Sequence, residues 1–538
     1  MSDTSLTLPP INAGDAPQAT AADEREDFSA LDQAGRAVLL GSIVVVALCG
    51  IVYELIIGSV SSYLLGNSVY QFSITIGFFM FAMGVGSYLS QHIRERLIYN
   101  FILVEICLAV VGGLCSIVLF LTFPFSPAMY RTVMLGFIIV IGALVGLEIP
   151  LLTRILAQIG GTRRSIAKVM SLDYFGALIG SVAFPLMLLP SLGLVRASFA
   201  IGLANVLVAL MTMHFLRNHL PNVKRLAAIA GVILFGLTAL VMMSSRINAF
   251  AQQHLYFDDI IWKKQTPYQS LVMTQNWKQQ DLRLFIDGHL QFAQSDEHRY
   301  HEALVHPVMS FPGAKENILI LGGGDGLAVR ELLKYDMIER IDLVDLDPAI
   351  TDLAQTFPQL VKLNGDSFAD PRVHIHNADA FVFIRDAAHR YDRVIIDMPD
   401  PHDEAISKLY SVEFYAMIKK KLRDGGYVVT QSSSPFFARR TFWSVNDTMA
   451  AAFGATQSYN LPIPSFGVWG FHLAAESDAA FSAPSTIGVE TKFLTDDVME
   501  AAKVFSKDIG PSGAPTVNSI FEPRLYQLYL EDMRGKVS

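Results

Sequence analysis

Between Gly35 and about Ser245 the chain strings together about seven apolar runs, each close to the roughly 20 residues that cross a bilayer as a helix. They fall at about 37–58, 70–92, 99–123, 131–153, 172–191, 194–216 and 225–244. A very hydrophobic soluble helical domain is the alternative, but runs of this length repeatedly exceed the ordinary globular helix. Small residues recur inside them, as in Gly142-Ala143-Leu144-Val145-Gly146 and Gly176-Ala177-Leu178-Ile179-Gly180-Ser181. That spacing lets helix backbones approach closely, so a packed bundle is expected and not a row of isolated anchors.

The bias is local. Over 538 residues 52% are hydrophobic and 17% charged, against about 25% charged in soluble domains, yet beyond His254 the composition is ordinary. Cys49, Cys107 and Cys115 all lie in the apolar half, which gives no disulfide framework and reads as packing or lipid-facing thiols. Residues 1–36 carry Asp23, Glu24, Glu26 and Asp27 among Ala, Pro, Thr and Ser and read as a disordered acidic tail. They lack the basic start and short apolar core of a signal peptide. A net charge of −9 without a basic stripe argues against a nucleic-acid partner.

Four acids sit within or at the edge of the apolar runs: Glu54, Glu105, Glu148 and Asp173. An ionisable group at membrane depth is costly and by default marks a polar path or binding site. The plainer expectation is that Glu54 and Asp173 brace neighbouring helices while Glu105 and Glu148 lie near the interfaces. Basic residues gather after the second run (Arg94, Arg96), the fourth (Arg154, Arg163, Arg164, Lys168) and the sixth (Arg217, Lys224, Arg225). The positive-inside rule then puts the N-terminus in the cytoplasm and, after seven crossings, the C-terminal half outside. A cytosolic cofactor demands the reverse.

From Tyr256 the pattern changes. Residues 270–275 and 282–288 read as strands of a small antiparallel sheet, with Asp287-Gly288 as a turn. Strand 318–321, a glycine-rich turn, helix 327–335, strand 341–344, helix 348–356, strand 373–376, helix 380–388 and strand 394–396 follow. This alternation predicts a doubly wound, Rossmann-like parallel sheet with ligands at the carboxyl ends of its strands.

Those strand ends carry acids. Asp325 lies in the turn Gly322-Gly323-Gly324-Asp325-Gly326, and Asp345 ends the second strand, where a carboxylate can accept both ribose hydroxyls. Asp379 follows the third, placed for an adenine amino group; Asp397 and Asp400 follow the fourth. A single acid of this kind is often just a helix cap, and Asp325 and Asp379 fit that role. Acids at four successive strand ends argue for a nucleoside site. The turn lacks the full dinucleotide fingerprint and a P-loop lysine, and no Cys/His set stands at metal-ligand spacing. The Asp397/Asp400 pair adds a place for a positively charged substrate.

Tyr268-Gln269, Asp287-Gly288-His289-Leu290-Gln291, Asp296 to Glu302, Gly322 to Gly326, Asp345-Leu346-Asp347, Asp379-Ala380, Asp397-Met398-Pro399-Asp400-Pro401 and Leu409 to Tyr415 cover most of residues 260–435. As a set and in this order they resemble the polyamine aminopropyltransferases, the spermidine synthase family. The apolar half resembles the membrane region fused to some bacterial members.

The resemblance implies a transferase that moves an aminopropyl group from decarboxylated S-adenosylmethionine to putrescine or a related amine, without a metal. It implies cofactor contacts from Gln269, His301, Gly322, Gly324, Asp325, Asp345, Asp379 and Ala380. Tyr300, Asp397 and Asp400 would hold the acceptor, with Asp397 as catalytic base. The chemistry agrees: a dication suits a carboxylate cluster with a Tyr face, and a protonated amine needs a base. A sulfonium already leaves well, so alignment and electrostatics suffice. A membrane-tethered methyltransferase, or a polyamine-binding or transport protein, are the other readings. The acceptor aromatic that the family commonly supplies after its later strands is replaced here by Pro464, leaving Phe466 and Trp469 as substitutes.

The expected organisation is a tail (1–36), a transmembrane bundle (37–245), an antiparallel β subdomain (254–310), a Rossmann-like domain (311–480) and a C-terminal extension (481–538). The expected setting is the bacterial inner membrane, multi-pass, with the catalytic domain cytoplasmic against the loop charges. Membrane lipid is an expected partner, and a homo-oligomer is left open.

Overall fold

The computed structural model describes residues 33–534 apart from 66–67, 124–125, 161, 254–255, 277, 279, 483–485 and 512, so nearly all of the acidic tail lies outside the described residues. The apolar half forms helices α1 (Gln33–Leu65), α2 (Ser68–Leu89), α3 (Leu97–Thr122), α4 (Pro127–Gly160), α5 (Thr162–Ala183), α6 (Leu189–Phe215) and α7 (Val223–Gln253). Among the described residues, six stretches are long and apolar enough to cross a membrane. One of them, Thr162–Phe215, has 54 residues, which as one straight helix would span about 81 Å. It is instead divided into α5 and α6 by a π-turn at Phe184–Leu188 and by Gly193, whose φ of 70° breaks the helix. Helix α5 begins ten residues before the expected 172 because its first turns carry Arg163, Arg164 and Lys168, which an apolar count leaves out.

The small-residue spacings do what close packing requires. A Cβ on Gly146 would lie 2.1 Å from the Met83 carbonyl and one on Gly86 2.0 Å from that of Ala143, so α2 and α4 touch backbone to backbone. A Cβ on Gly176 would lie 2.3 Å from the Val44 carbonyl and one on Gly180 2.9 Å from that of Leu48, so α5 also packs closely on α1. Glu105 of α3 and Glu148 of α4 come together inside the bundle. Both are fully buried, and they interact with one another. Depth cannot be read from such a run, since a helix apolar on every face can bury any of its residues. Tyr63, near the end of α1, interacts with the side chains of Tyr256 and Ser270. The C-terminal ends of α1 and α7 therefore share the bundle face that carries the second half of the chain.

That half opens with an antiparallel sheet of β1 (Asp259–Gln265), β2 (Ser270–Gln275), β3 (Leu282–Ile286) and β4 (His289–Ala293), in that order. Asp287 and Gly288 turn β3 into β4, both at positive φ as a two-residue type I′ hairpin needs. Helix α8 (Glu297–Ser310) leads into β5 (Asn317–Gly322), α9 (Leu327–Leu332), β6 (Arg340–Asp345), α10 (Pro348–Thr356) and α11 (Pro358–Asn364). Then come β7 (Val373–Asn377), α12 (Ala380–Asp386), β8 (Tyr391–Asp397), α13 (Glu404–Ser407), α14 (Val412–Lys421) and β9 (Leu422–Gln431). Helix α15 (Arg439–Phe453), β10 (Ala455–Ile463), β11 (Gly467–Ala475), α16 (Asp496–Ala502) and α17 (Arg524–Arg534) complete the chain.

Strands β5 to β9 pair in parallel and β10–β11 close one edge antiparallel, giving the order β10-β11-β9-β8-β5-β6-β7. Alternation along β5 divides the core. Ile318 and Ile320 pack into the cluster under α8 and α9, while Leu319 and Leu321 pack into the cluster under α12, α14 and α15. Burial on both faces is why this strand reads as a continuous apolar run.

Candidate active site

Strand register assembles the site. Parallel pairing sets Gly322 of β5 beside Asp397 of β8, and β6 beside β5 brings Asp345 to the same sheet edge. The turn after β5 needs glycine at Gly322 (φ 89°), where a Cβ would meet the Asp397 carbonyl at 2.0 Å. At Gly324 a Cβ would sit 2.5 Å from Asp345 Oδ2.

On the first side of the cleft, Asp345 Oδ2 accepts from Gly324 N at 3.0 Å and Oδ1 from Asp347 N at 3.0 Å. Burial pushes this carboxyl up to about 6, against the pull of those two amides. Asp325 accepts from Leu327 N at 2.9 Å, and Asp379 caps α12 through Phe381 N at 2.7 Å while its other oxygen meets Lys408 Nζ at 3.2 Å. Asp379 thus both caps a helix and lines the cleft, whereas Asp325 lines it from one residue before the cap of α9, Gly326. His301 Nδ1 lies 2.9 Å from Glu297 Oε2, and Arg330 grips both oxygens of that carboxylate at 2.9 Å. Burial alone would raise Glu297, but His301 and Arg330 outweigh it and hold the carboxyl at about 2. The result is a fixed His301 ring whose charge acts on Asp325 and Asp397.

On the other side, Tyr300 donates to Asp397 Oδ1 at 2.5 Å. Burial raises Asp397 to about 6, Asp325 adds to the rise, and His301 and Tyr300 oppose it. Asp400 Oδ2 accepts from Ser433 Oγ at 3.1 Å and from Tyr529 OH at 3.3 Å, and Gln431 Nε2 lies 3.4 Å from Oδ1. Ser433 is held at φ 63°, a left-handed backbone for a residue with a Cβ. Tyr410 fixes the loop between the two acids by donating to Met398 and Pro399 carbonyls at 3.2 and 3.0 Å.

Both sides open on one cavity of about 600 Å³. Gln269, Tyr300, His301, Gly322, Gly324, Asp325, Asp345, Asp379, Ala380, Asp397 and Asp400, the residues singled out in the sequence, all line it. Pro464 is exposed, while Phe466 and Trp469, their rings 5.0 Å apart, face the cavity. Several lining residues carry no local signal that picks them out. His289 stacks on His402 at 4.7 Å, Lys408 reaches Asp379 from another element, and Tyr529 and Met533 come from α17. Gln431 ends β9 and Ser433 follows it, where the strand-end rule could have found them.

Residues 297–484 match the Spermine/spermidine synthase domain. Polyamine aminopropyltransferase 2 of Ralstonia nicotianae is 42% identical over 507 residues, covering 93% of this chain and 99% of that protein. The polyamine aminopropyltransferase of Oceanobacillus iheyensis is 39% identical over 490 residues, 90% of this chain and 95% of its own. Among solved structures, a spermidine synthase in complex with the transition-state analogue AdoDATO is 25% identical, with a TM-score of 0.43, over 46% of this chain and 85% of that one.

Proposed function

The chain belongs to the polyamine aminopropyltransferase family, and on that premise we propose that it moves an aminopropyl group from decarboxylated S-adenosylmethionine to putrescine, giving spermidine and methylthioadenosine. One observation carries the reading. A nucleoside-type edge (Asp345 beside the glycine turn) and a cation-type edge (Tyr300, Asp397, Asp400) share one cavity, with Gly322 and Asp397 paired across adjacent strands.

In this reading Asp345 accepts the ribose hydroxyls with the lone pairs that its two backbone donors leave free. Asp379, Ala380, Gln269 and Asp325 line the rest of the nucleoside. Asp397 and Asp400 bind the ammonium groups of the acceptor against the Tyr300 ring. Asp397 takes a proton from the attacking ammonium, and the freed lone pair forms the new C–N bond as the C–S bond breaks. The sulfur leaves neutral, so the positive charge moves from sulfur to the new secondary amine, which the two carboxylates face.

We further infer that the helical bundle lies in the membrane lipid and tethers a catalytic domain built from residues 254–480. Cytoplasmic placement of that domain belongs to the proposal, because the nucleoside cofactor is made there. It runs against the loop charges, since the basic loops after α2, α4 and α6 lie on the bundle face opposite the catalytic domain. Labelling of a cysteine introduced at the exposed Val504, in intact cells and after permeabilisation, decides the side.

The test of activity uses the purified full-length protein with putrescine and each of the two sulfonium cofactors in turn. Spermidine and methylthioadenosine from the decarboxylated cofactor are expected. Methylated putrescine from the other, or binding without turnover, overturns the reading.

A further inference from the structure

We propose that α17 is part of the amine site, with Tyr529 as the residue that positions Asp400 and closes the acceptor end of the cavity. This rests on the reading of that cavity given above. The matched synthase domain ends at residue 484, so α17 stands outside it.

Tyr529 is 7% exposed, donates to Asp400 Oδ2 at 3.3 Å, and with Met533 lines the cavity one helical turn further on. Asp400 draws its other donors from the end of β9, Gln431, and from Ser433 just after it. Without Tyr529 the carboxylate is held from the sheet side alone. With it, Asp400 is clamped from two directions, and an ammonium entering the cavity meets an oriented carboxylate beside an aromatic ring.

The helix is anchored firmly enough for this role. Asp532 accepts from Thr441 N and Thr441 Oγ1 at 3.0 Å each and pairs with Arg440 Nε at 2.7 Å. Leu525 is fully buried in the core cluster beneath α14 and α15. Upstream, Asn518 donates to the carbonyls of Ser407 and Tyr410 at 2.9 and 3.1 Å, which ties the approach to α17 to the segment that follows Asp400. Leu525 and Tyr529 are four residues apart, so one helix face carries both the anchor and the working residue.

A wall at this end limits acceptor length. A short diamine keeps both ammonium groups among Asp397, Asp400 and Tyr300, whereas a longer polyamine must pass Tyr529 and Met533. Tyr529 therefore selects for the shorter acceptor.

Full-length Tyr529→Phe and Tyr529→Ala test this by steady-state kinetics with putrescine and spermidine as acceptors, alongside thermal melting. For Tyr529→Phe the KM for putrescine should rise about three- to tenfold, the loss of one hydrogen bond to a carboxylate, with the KM for the sulfonium unchanged. For Tyr529→Ala it should rise further, and the preference for putrescine over spermidine should shrink. Unchanged amine KM and unchanged preference in folded variants overturn the proposal, as does an equal rise in both substrates' KM. Should the parent protein transfer no aminopropyl group, the reading of the site fails instead. Putrescine binding by calorimetry then decides Tyr529 separately, a weaker Kd in Tyr529→Phe supporting it and an equal Kd overturning it.

Discussion

The Tyr300 hydroxyl and Asp397 Oδ1 stand 2.5 Å apart, a charge-assisted hydrogen bond between the first turns of α8 and the carboxyl end of β8. That bond orients a carboxyl which burial holds at about 6 instead of 3.8, so the site keeps a group that the fold would rather not ionise. Asp397→Asn keeps the shape and removes the charge. Loss of the base should lower kcat by about 10²- to 10⁴-fold. Cofactor affinity, measured by calorimetry, should change little. An equal loss of cofactor affinity and turnover would refute the assignment of Asp397 to the acceptor side.

The same variant should be more stable than the parent at neutral pH. A carboxyl raised in the folded state holds its proton longer than in the unfolded chain, so stability falls as pH rises from about 4 to about 6 and stays reduced above. At pH 7 the parent bears the full cost, at most about 3 kcal/mol, and Asp397→Asn bears none. The melting temperatures should therefore differ at pH 7 and converge below pH 4. A gap that does not depend on pH points to packing as its source.

In the proposed mechanism Asp397 must be ionised to accept the proton, which sets the acid limb of the rate profile. In kcat/KM for the amine, activity should fall as pH drops through about 6, where the free enzyme's Asp397 gains its proton. Asp345, raised to about 6 on the cofactor side, should add a matching fall in kcat/KM for the sulfonium. Separate profiles for the two substrates check this. A limb near the ordinary carboxylate value near 4 for both would show that bound substrate, and not burial, sets these groups.

Much of this site was legible because the strand-end acids obey a geometric rule that a single sequence displays: β5, β6, β7 and β8 each deliver an Asp to the same edge. What a linear reading cannot supply is side-chain traffic between distant segments. Lys408 reaching Asp379, His402 stacking on His289 and Tyr529 meeting Asp400 join residues 29, 113 and 129 positions apart. In the bundle the glycine spacings foretold close helix contacts, as at Gly146 against Met83. Yet the meeting of Glu105 with Glu148 was not legible, because uniformly apolar helices conceal which face turns inward. The break at Gly193 was visible only as a gap between two runs, and its conformation emerged from the backbone.

Asp345→Ala removes an acceptor that also receives Gly324 N and Asp347 N, so two effects combine. The ribose contact should be lost, weakening cofactor binding by about 1.5–3 kcal/mol. The freed amides should also loosen the glycine turn, which Asp345→Asn, still able to accept through one oxygen, should partly spare. Calorimetric Kd values for the sulfonium should rank parent, Asn, Ala, with the KM for the amine nearly constant. Equal loss in both variants would assign the effect to charge and not to the geometry of the turn.

The last prediction concerns the two halves of the chain. Every residue assigned to the nucleoside or the amine lies beyond Tyr268, and the sheet from β1 onward and the strands of the second sheet are complete without the bundle. Tyr63 links the bundle to Tyr256, just before β1, and to Ser270, which begins β2, and the adjoining Asp287 turn lines the cavity. A chain starting near Ala251 keeps all the chemistry and loses the Tyr63 link. It should be soluble and retain kcat/KM within a fewfold of the full-length enzyme, the margin expected for one lost polar contact of about 1 kcal/mol. Tyr63→Phe in the full-length protein should reproduce whatever loss the truncation shows if that contact is its cause. A folded, cofactor-binding truncation without turnover would mean that the bundle takes part in the reaction, and the buried Glu105–Glu148 pair would be the first place to look for how.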